Sequence, residues 1–445
     1  MEFQRAGVEW LCAHARGGLF DDQGLGKTPQ AIVAAGRVGA RRLLVVCPTV
    51  VAYNWQREMR TWAPERRVQV VTSGSAAITA DTVIVTHGLV LRKAIHDQLM
   101  EQCWDLIVVD EAHFFRNPTA KRTQKLFLGA SALVRQAPRC WLLSGTPMPN
   151  DPSELWAMLA GIAPERLRDE DNKLLSWKRF RDRFCVTVPD PYKGQKVVGM
   201  QNGDDLKMRL CGFALRRLKK NVLDLPPVRY GTVSLTKESA VSAEWGEIED
   251  TLDEATRLPI SYAGQGGVLQ DELDDHVLAE IQRTKSFAEW RHACGLAKVD
   301  PSVEMIENDL NLGVPKIVVF AHHLDVIHRL CHGLSKFSPV CVTGISSAAK
   351  REEDVLRFQT DPQCRVFIGQ LNAAGVGITL TAASDVVFVE MSFVPGDNAQ
   401  ATDRVVRIGQ TKPVLVRYFT LANSIDEVTT RILARKSEMI REVGL

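Results

Sequence analysis

The chain has 445 residues, 45% of them hydrophobic and 24% charged, with a formal net charge of +2. That is too long for one ordinary core and too apolar for a disordered chain, so two or three globular domains are expected. The small net charge excludes a global positive field, and any nucleic-acid binding must come from local basic surfaces. The 10 cysteines are scattered with no C-x-x-C pair, which argues against a disulfide framework or a zinc ribbon and suits a reducing compartment. No basic region precedes a long apolar one at the start, and no apolar run reaches bilayer length. The expectation is a soluble, intracellular protein with no membrane partner.

Near the start lies Gln23-Gly24-Leu25-Gly26-Lys27-Thr28. Gly24 and Gly26 let the backbone turn tightly and approach phosphate oxygens. Lys27 can reach β- and γ-phosphates, and the Thr28 hydroxyl can bind Mg²⁺. Asp21 occupies the first glycine of the G-x-x-x-x-G-K-[ST] pattern, so the loop alone also fits a Gly-rich turn with a surface lysine. Short β-branched runs follow at 43–47, 82–86, 106–109 and 140–143, alternating with amphipathic stretches. They predict a parallel sheet wrapped by helices, with its chemistry at the carboxyl ends of the strands.

The third run ends in Asp110-Glu111-Ala112-His113, which strengthens the phosphate reading. Asp110 is placed to hold Mg²⁺ and Glu111 to polarise an attacking water. His113 reads equally as a relay and as a packed turn residue. Ser144-Gly145-Thr146-Pro147 follows the fourth run, where small hydroxyls can couple a phosphate-side carboxylate to a second surface. From about 153 to 221 the pattern is helical, with Trp156, Trp177, Phe180 and Phe184 as packing anchors. Pro226-Pro227 breaks the chain. Residues 238–280 are rich in Asp and Glu, with Arg257 as their only basic residue, and predict a helical insertion with a solvated acidic face. Five further runs (316–320, 340–343, 365–368, 386–389 and 414–419) predict a second parallel sheet. Near the end, Arg404 and Arg407 lie three residues apart, on one face if 398–407 is helical. Guanidinium groups there can stabilise phosphoryl transfer, while a surface ion pair with Asp403 is the plainer alternative. A metal site at His322, His323, His328, Cys331 and His332 lacks a carboxylate partner and is set aside.

The ordered set Gln4, Gly24–Thr28, Asp110–His113, Ser144–Pro147, Gly375–Leu380 and Gln400–Gln410 resembles the superfamily-two helicase-like ATPases of the Swi/Snf type. Gly295-Leu296-Ala297-Lys298 and Val319-Phe320-Ala321-His322-His323 look closest to the annealing-helicase branch. The resemblance implies two RecA-like lobes with ATP and Mg²⁺ in the cleft between them. The lobes would be 1–152 and 291–445, separated by a helical protrusion and basic brace at 153–226 and the acidic insertion at 227–290. Gln4, Gly24, Gly26, Lys27, Thr28, Gly377 and Gln400 would bind the nucleotide. Thr28 and Asp110 would hold the metal, and Lys27, Asp110, Glu111, Arg404 and Arg407 would act in catalysis.

DNA, duplex or branched, would be gripped by its phosphates rather than its bases. Candidate contacts by motif are Thr49, Thr86, His87, Thr343, Gly344, Asn372 and Thr379, with Arg216 and Arg217 from the densest basic cluster. Without accessory domains, the chain resembles a bare motor of a bacterial or viral host, in the cytoplasm rather than a nucleus. The function implied is ATP-driven translocation on double-stranded DNA. Two alternatives stay open: a strand-separating DNA or RNA helicase, and an ATP-gated scaffold using the acidic 238–280 segment as a partner surface.

Overall fold

The computed structural model describes residues 1–74, 76–190, 194–236, 286–371, 378–422, 424, 426–427, 429–431 and 433. The acidic 238–280 segment, Asn372 and Gly377 lie outside the described residues. Met1–Leu223 form one compact unit, and the described residues from Asp224 onward form a second. No helix among the described residues is long and apolar enough to cross a membrane.

The first unit is built on seven strands: β1 (Arg16–Leu19), β2 (Leu43–Cys47), β3 (Val68–Val70), β4 (Thr82–Thr86), β5 (Leu106–Asp110), β6 (Arg139–Leu143) and, after a separate hairpin, β9 (Ala214–Leu215). They pair in the order β3-β4-β2-β5-β6-β1-β9, every pair parallel. β2, β4 and β5 are buried along their whole length. That is why they read as continuous apolar runs rather than alternating ones. Three helices position the site: α1 (Glu2–Ala13), α2 (Lys27–Arg37) and α3 (Ala52–Trp62). On α3 the buried residues Ala52, Trp55 and Met59 make one stripe at helical spacing.

Residues 153–223, which the sequence sets apart as a helical protrusion, belong to this first unit. They include an antiparallel hairpin, β7 (Cys185–Asp190) with β8 (Gly194–Met200), as well as helices. Phe180 and Phe184 are fully buried in the core, as their anchor role requires.

The second unit holds β10 (Val228–Leu235), β11 (Ile317–Ala321), β12 (Val340–Val342), β13 (Val366–Gln370), β14 (Asp385–Phe388) and β15 (Val414–Leu421). Their order is β10-β15-β14-β11-β13-β12, again all parallel. β10 falls where the sequence places a linker. Alternation sorts the side chains of β11 between two cores: Val318 and Phe320 enter one, Ile317, Val319 and Ala321 the other. These are the two RecA-like lobes, each a parallel sheet flanked by helices.

Candidate nucleotide site

The loop after β1 reaches α2 through two left-handed glycines, Gly24 at φ 81° and Gly26 at φ 73°. Gly26 caps α2, and a Cβ there would lie 2.5 Å from Gln4 Nε2. α1 therefore lies against the loop, with Gln4 Nε2 donating to the Leu25 carbonyl at 3.4 Å. Gln30, one turn into α2, donates to the carbonyls of Leu25 and Gly26 at 3.0 and 3.1 Å.

Asp21, the residue in place of the pattern's first glycine, is fully buried. It accepts from the Arg217 amide at 3.1 Å and Nε at 2.9 Å, and pairs with Nη2 at 2.5 Å. Arg217 also donates to the Phe3 carbonyl and, at 2.9 Å, to Gln30 Oε1. Asp22 takes Arg216 Nη2 at 3.1 Å and the Lys219 amide at 2.9 Å. Arg216 donates further to the carbonyls of Phe20 and Gly145. The sequence places Arg216 and Arg217 on the DNA track or in a basic brace. Their side chains, only 15% and 13% exposed, instead clamp the loop between β1 and α2 to β9. Asp21 and Asp22 neutralise them, which removes the reason to expect an open cationic patch. Sequence reasoning missed this role of Asp21, for which the only signal was the departure from the glycine pattern.

At the carboxyl edge of the sheet, Lys27 Nζ donates to the Asp21 and Asp22 carbonyls at 2.7 and 3.3 Å. Burial lowers its pKa, opposed by the charges of Glu111, Asp21, Asp110 and Asp22. Burial and then the neighbouring Glu111 push Asp110 up to about 7, against a hydrogen bond from Trp55 and the charge of Lys27. Trp55 Nε1 donates to Asp110 Oδ2 at 2.8 Å, and the Glu111 amide to Oδ1 at 3.0 Å. Glu111 stands at φ 48°, a left-handed conformation costly for a non-glycine residue and common where function fixes the backbone. His113 Nδ1 lies 3.4 Å from Glu111 Oε2 and 3.0 Å from Ser144 Oγ, which accepts the Thr146 amide at 3.1 Å. A lysine, two buried carboxylates and a loop shaped by left-handed glycines suit a polyphosphate. The hard oxygens of Asp110 and Thr28 suit Mg²⁺.

The candidate DNA contacts of this unit are not alike. Thr49 is exposed at the start of a short 3₁₀ turn before α3. Thr86 is buried and caps the following turn by accepting the Leu89 amide at 3.4 Å. His87 Nε2 lies 3.0 Å from the Asp110 carbonyl oxygen, and burial brings its pKa down to about 3.

In the second unit the helix Pro395–Thr402 ends before Arg404, so the two arginines do not share a helical face. Val405 and Val406 turn into the core instead, and hydrogen bonds such as Val405 N to Thr402 O close tight turns. Arg404 is buried. Arg407 donates to the Ile378 carbonyl at 3.0 Å, and burial lowers its pKa against the charge of Asp403. Gln400 is half-buried near the end of the helix. Gln410, which sequence reasoning gave no role, donates to the Ala383 carbonyl at 2.7 Å and accepts the amides of Thr411 and Lys412. Thr343 is buried beside Ser346, Gly344 is exposed with its amide on Gln370 Oε1 at 2.8 Å, and Thr379 is half-buried.

A family model described as the SNF2-related domain matches residues 3–241, and one described as the helicase conserved C-terminal domain matches 298–409. The SWI/SNF-related matrix-associated actin-dependent regulator of chromatin subfamily A-like protein 1 of Xenopus tropicalis is 30% identical over 456 residues, covering 100% of this chain and 45% of that protein. The DNA annealing helicase and endonuclease ZRANB3 of Homo sapiens is 30% identical over 458 residues, covering 99% of this chain and 40% of that protein. Among solved structures, the Sulfolobus solfataricus SWI2/SNF2 ATPase core in complex with dsDNA is 24% identical, with a TM-score of 0.44 over 100% of this chain and 94% of that one. The chain spans less than half the length of these curated relatives. They correct one expectation: animal proteins named as chromatin regulators and annealing helicases point away from a cytoplasmic bacterial or viral host.

Proposed function

The chain belongs to the SNF2-related family of helicase-like ATPases, and on that premise we propose that it couples ATP hydrolysis to translocation on double-stranded DNA, remodelling DNA structures or protein–DNA complexes. The observation that carries the proposal is the grouping of Lys27, Asp110 and Glu111 around the left-handed Gly26 loop, at the carboxyl edge of a parallel sheet.

The residues divide the work. Gln4 meets the adenine, and the amides of the Gly24–Thr28 loop cradle the phosphates at the positive end of α2. Lys27 leaves the Asp21 and Asp22 carbonyls for the β- and γ-phosphate oxygens. Thr28 and Asp110 hold Mg²⁺, which when bound neutralises charge on those oxygens. Glu111 orients the attacking water and takes its proton. Gly377 and Gln400 contribute to nucleotide binding, and Arg404 and Arg407 stabilise the charge spread over the transferring phosphoryl group, a role worth roughly 10³–10⁵ in rate. Thr49, Gly344, Asn372 and Thr379 serve the DNA track, where contacts to backbone phosphates give little sequence preference. Thr86, Thr343 and His87 are instead engaged in the fold's own contacts, as Arg216 and Arg217 are. The names of relatives such as the DNA annealing helicase and endonuclease ZRANB3 support DNA as the track.

The test is ATP turnover with duplex DNA, single-stranded DNA and RNA, for wild type and Lys27→Ala. Duplex DNA should stimulate most, and the substitution should reduce turnover by roughly 100-fold or more, in line with loss of a phosphate-clamping charge. Turnover that ignores nucleic acid, or survives loss of Lys27, defeats the proposal.

A further inference from the structure

We infer that Trp55 is a positioning residue for Asp110, holding that carboxylate in the orientation that receives Mg²⁺. The inference rests on the nucleotide-site reading above and adds to it a residue with no place in the phosphate or carboxylate motifs.

Trp55 is 1% exposed, on the stripe of α3 that packs onto the sheet. Its indole Nε1 donates 2.8 Å to Asp110 Oδ2 across 55 residues of chain. The other oxygen, Oδ1, accepts the amide of Glu111 at 3.0 Å. With one fixed donor on each oxygen, the carboxylate cannot rotate freely, and the lone pairs left over point away from both donors. The main chain is held as well, since His87 Nε2 lies 3.0 Å from the Asp110 carbonyl oxygen. An indole N–H donates and never accepts, so it supports a carboxylate that keeps its oxygens as acceptors, which a metal ligand must do. A hydroxyl or amide in the same place could serve either role. Partners that orient a metal ligand in this way typically contribute roughly 10- to 100-fold in metal affinity.

The measurement is binding of a fluorescent ATP analogue, mant-ATP, titrated with Mg²⁺ and repeated in EDTA. The proteins are wild type, Trp55→Phe, Trp55→His, Asp110→Asn and the double variant that combines Trp55→Phe with Asp110→Asn. Trp55→Phe keeps an aromatic ring and loses the donor. It should raise the Mg²⁺ needed for half-maximal enhancement about tenfold or more, with affinity in EDTA unchanged. Trp55→His keeps a ring N–H and should recover most of that loss, and Trp55→Leu, apolar and without a donor, takes the place of Trp55→Phe if that variant does not fold. Once Asp110→Asn is in place, adding Trp55→Phe should change the Mg²⁺ requirement little further, because the anionic metal ligand that Trp55 orients is already gone. For the donor-less variant, a Mg²⁺ requirement within about twofold of wild type, or an equal loss of affinity with and without Mg²⁺, overturns the inference while leaving the nucleotide site standing. Wild-type binding indifferent to Mg²⁺ defeats the nucleotide-site reading itself, and this inference with it.

Discussion

Asp21 is a carboxylate where a phosphate loop of the common pattern has glycine, and it is buried completely. Such a charge is tolerable only because Arg217 meets it with three N–H groups. Removing one partner of a buried pair strands the other and typically costs about 3–5 kcal/mol, more than the pair itself contributes. Arg217→Ala should therefore destabilise the first unit by about that amount and weaken nucleotide binding, because Arg217 also holds Gln30 Oε1. Replacing both residues with apolar ones of similar volume should cost less than the single change. Urea denaturation of wild type and these variants decides it. A loss under about 1 kcal/mol for Arg217→Ala would mean the charge is solvated after all. Lys220, exposed in the same basic run, serves as the control, and its removal should cost little.

At the scale of elements, α1 packs on α2 with Gly7 facing the side-chain ends of Gln30 and Arg217. A Cβ there would stand 1.9 Å from Gln30 Oε1 and 2.6 Å from Arg217 Nη2. Gly7→Ala should turn those two side-chain ends aside, break the Arg217–Gln30 hydrogen bond that braces the loop, and weaken ATP binding up to about tenfold, an order-of-magnitude expectation for a displaced binding contact. Gly36→Ala, on α2 with nothing within 4 Å of the added Cβ, should be neutral or stabilise by about 0.4–1 kcal/mol. Nucleotide titration and thermal denaturation of the two variants separate the effects, and equal behaviour of both would remove the packing explanation. The same elements show what a sequence can carry. β2 and β4 are legible residue for residue, since strands buried on both faces need unbroken apolar side chains. β1 is illegible because its Arg-Gly-Gly-Leu has no β-branched residue. Its glycines admit Trp10 and Phe20 instead, which approach ideal Cβ positions at 2.7 and 2.4 Å. β10 is illegible because a partly exposed edge strand lacks an apolar run. Lys27, Asp110 and Glu111 are legible from order and spacing, whereas the Trp55 and Arg217 contacts depend on tertiary placement that no local pattern encodes.

At the scale of the whole chain, each unit carries a histidine that folds in its neutral form. Burial is the main cause in both, bringing His87 from 6.5 to about 3 and His322, with help from the Arg291 charge, to about 4. Because both folded values lie below the unfolded one, the unfolded chain takes up protons first as pH falls. Their contribution to stability is full above about pH 6.5 and is lost progressively toward about pH 4 and 3. Glu390 acts in the same direction at lower pH. Burial pushes it up, but the hydrogen bond and charge of His323 and the amides of His323 and His322 outweigh this and bring it to about 2. Its contribution is full above the ordinary value of 4.5 and lost as pH falls through about 2. Asp110 opposes these groups: raised to about 7 mainly by burial, it costs stability at neutral pH and that cost is relieved in acid. The raw slope of stability against pH therefore mixes signs, and a variant comparison within the second unit isolates one of them. His322→Gln should lose less stability than wild type between about pH 7 and pH 5. The difference, after allowance for solvent at a half-buried ring, should be about 1 kcal/mol, or roughly 2–4 °C in midpoint. Calorimetric scans at the two pH values measure it, and parallel losses in the two proteins would show that His322 does not fold neutral.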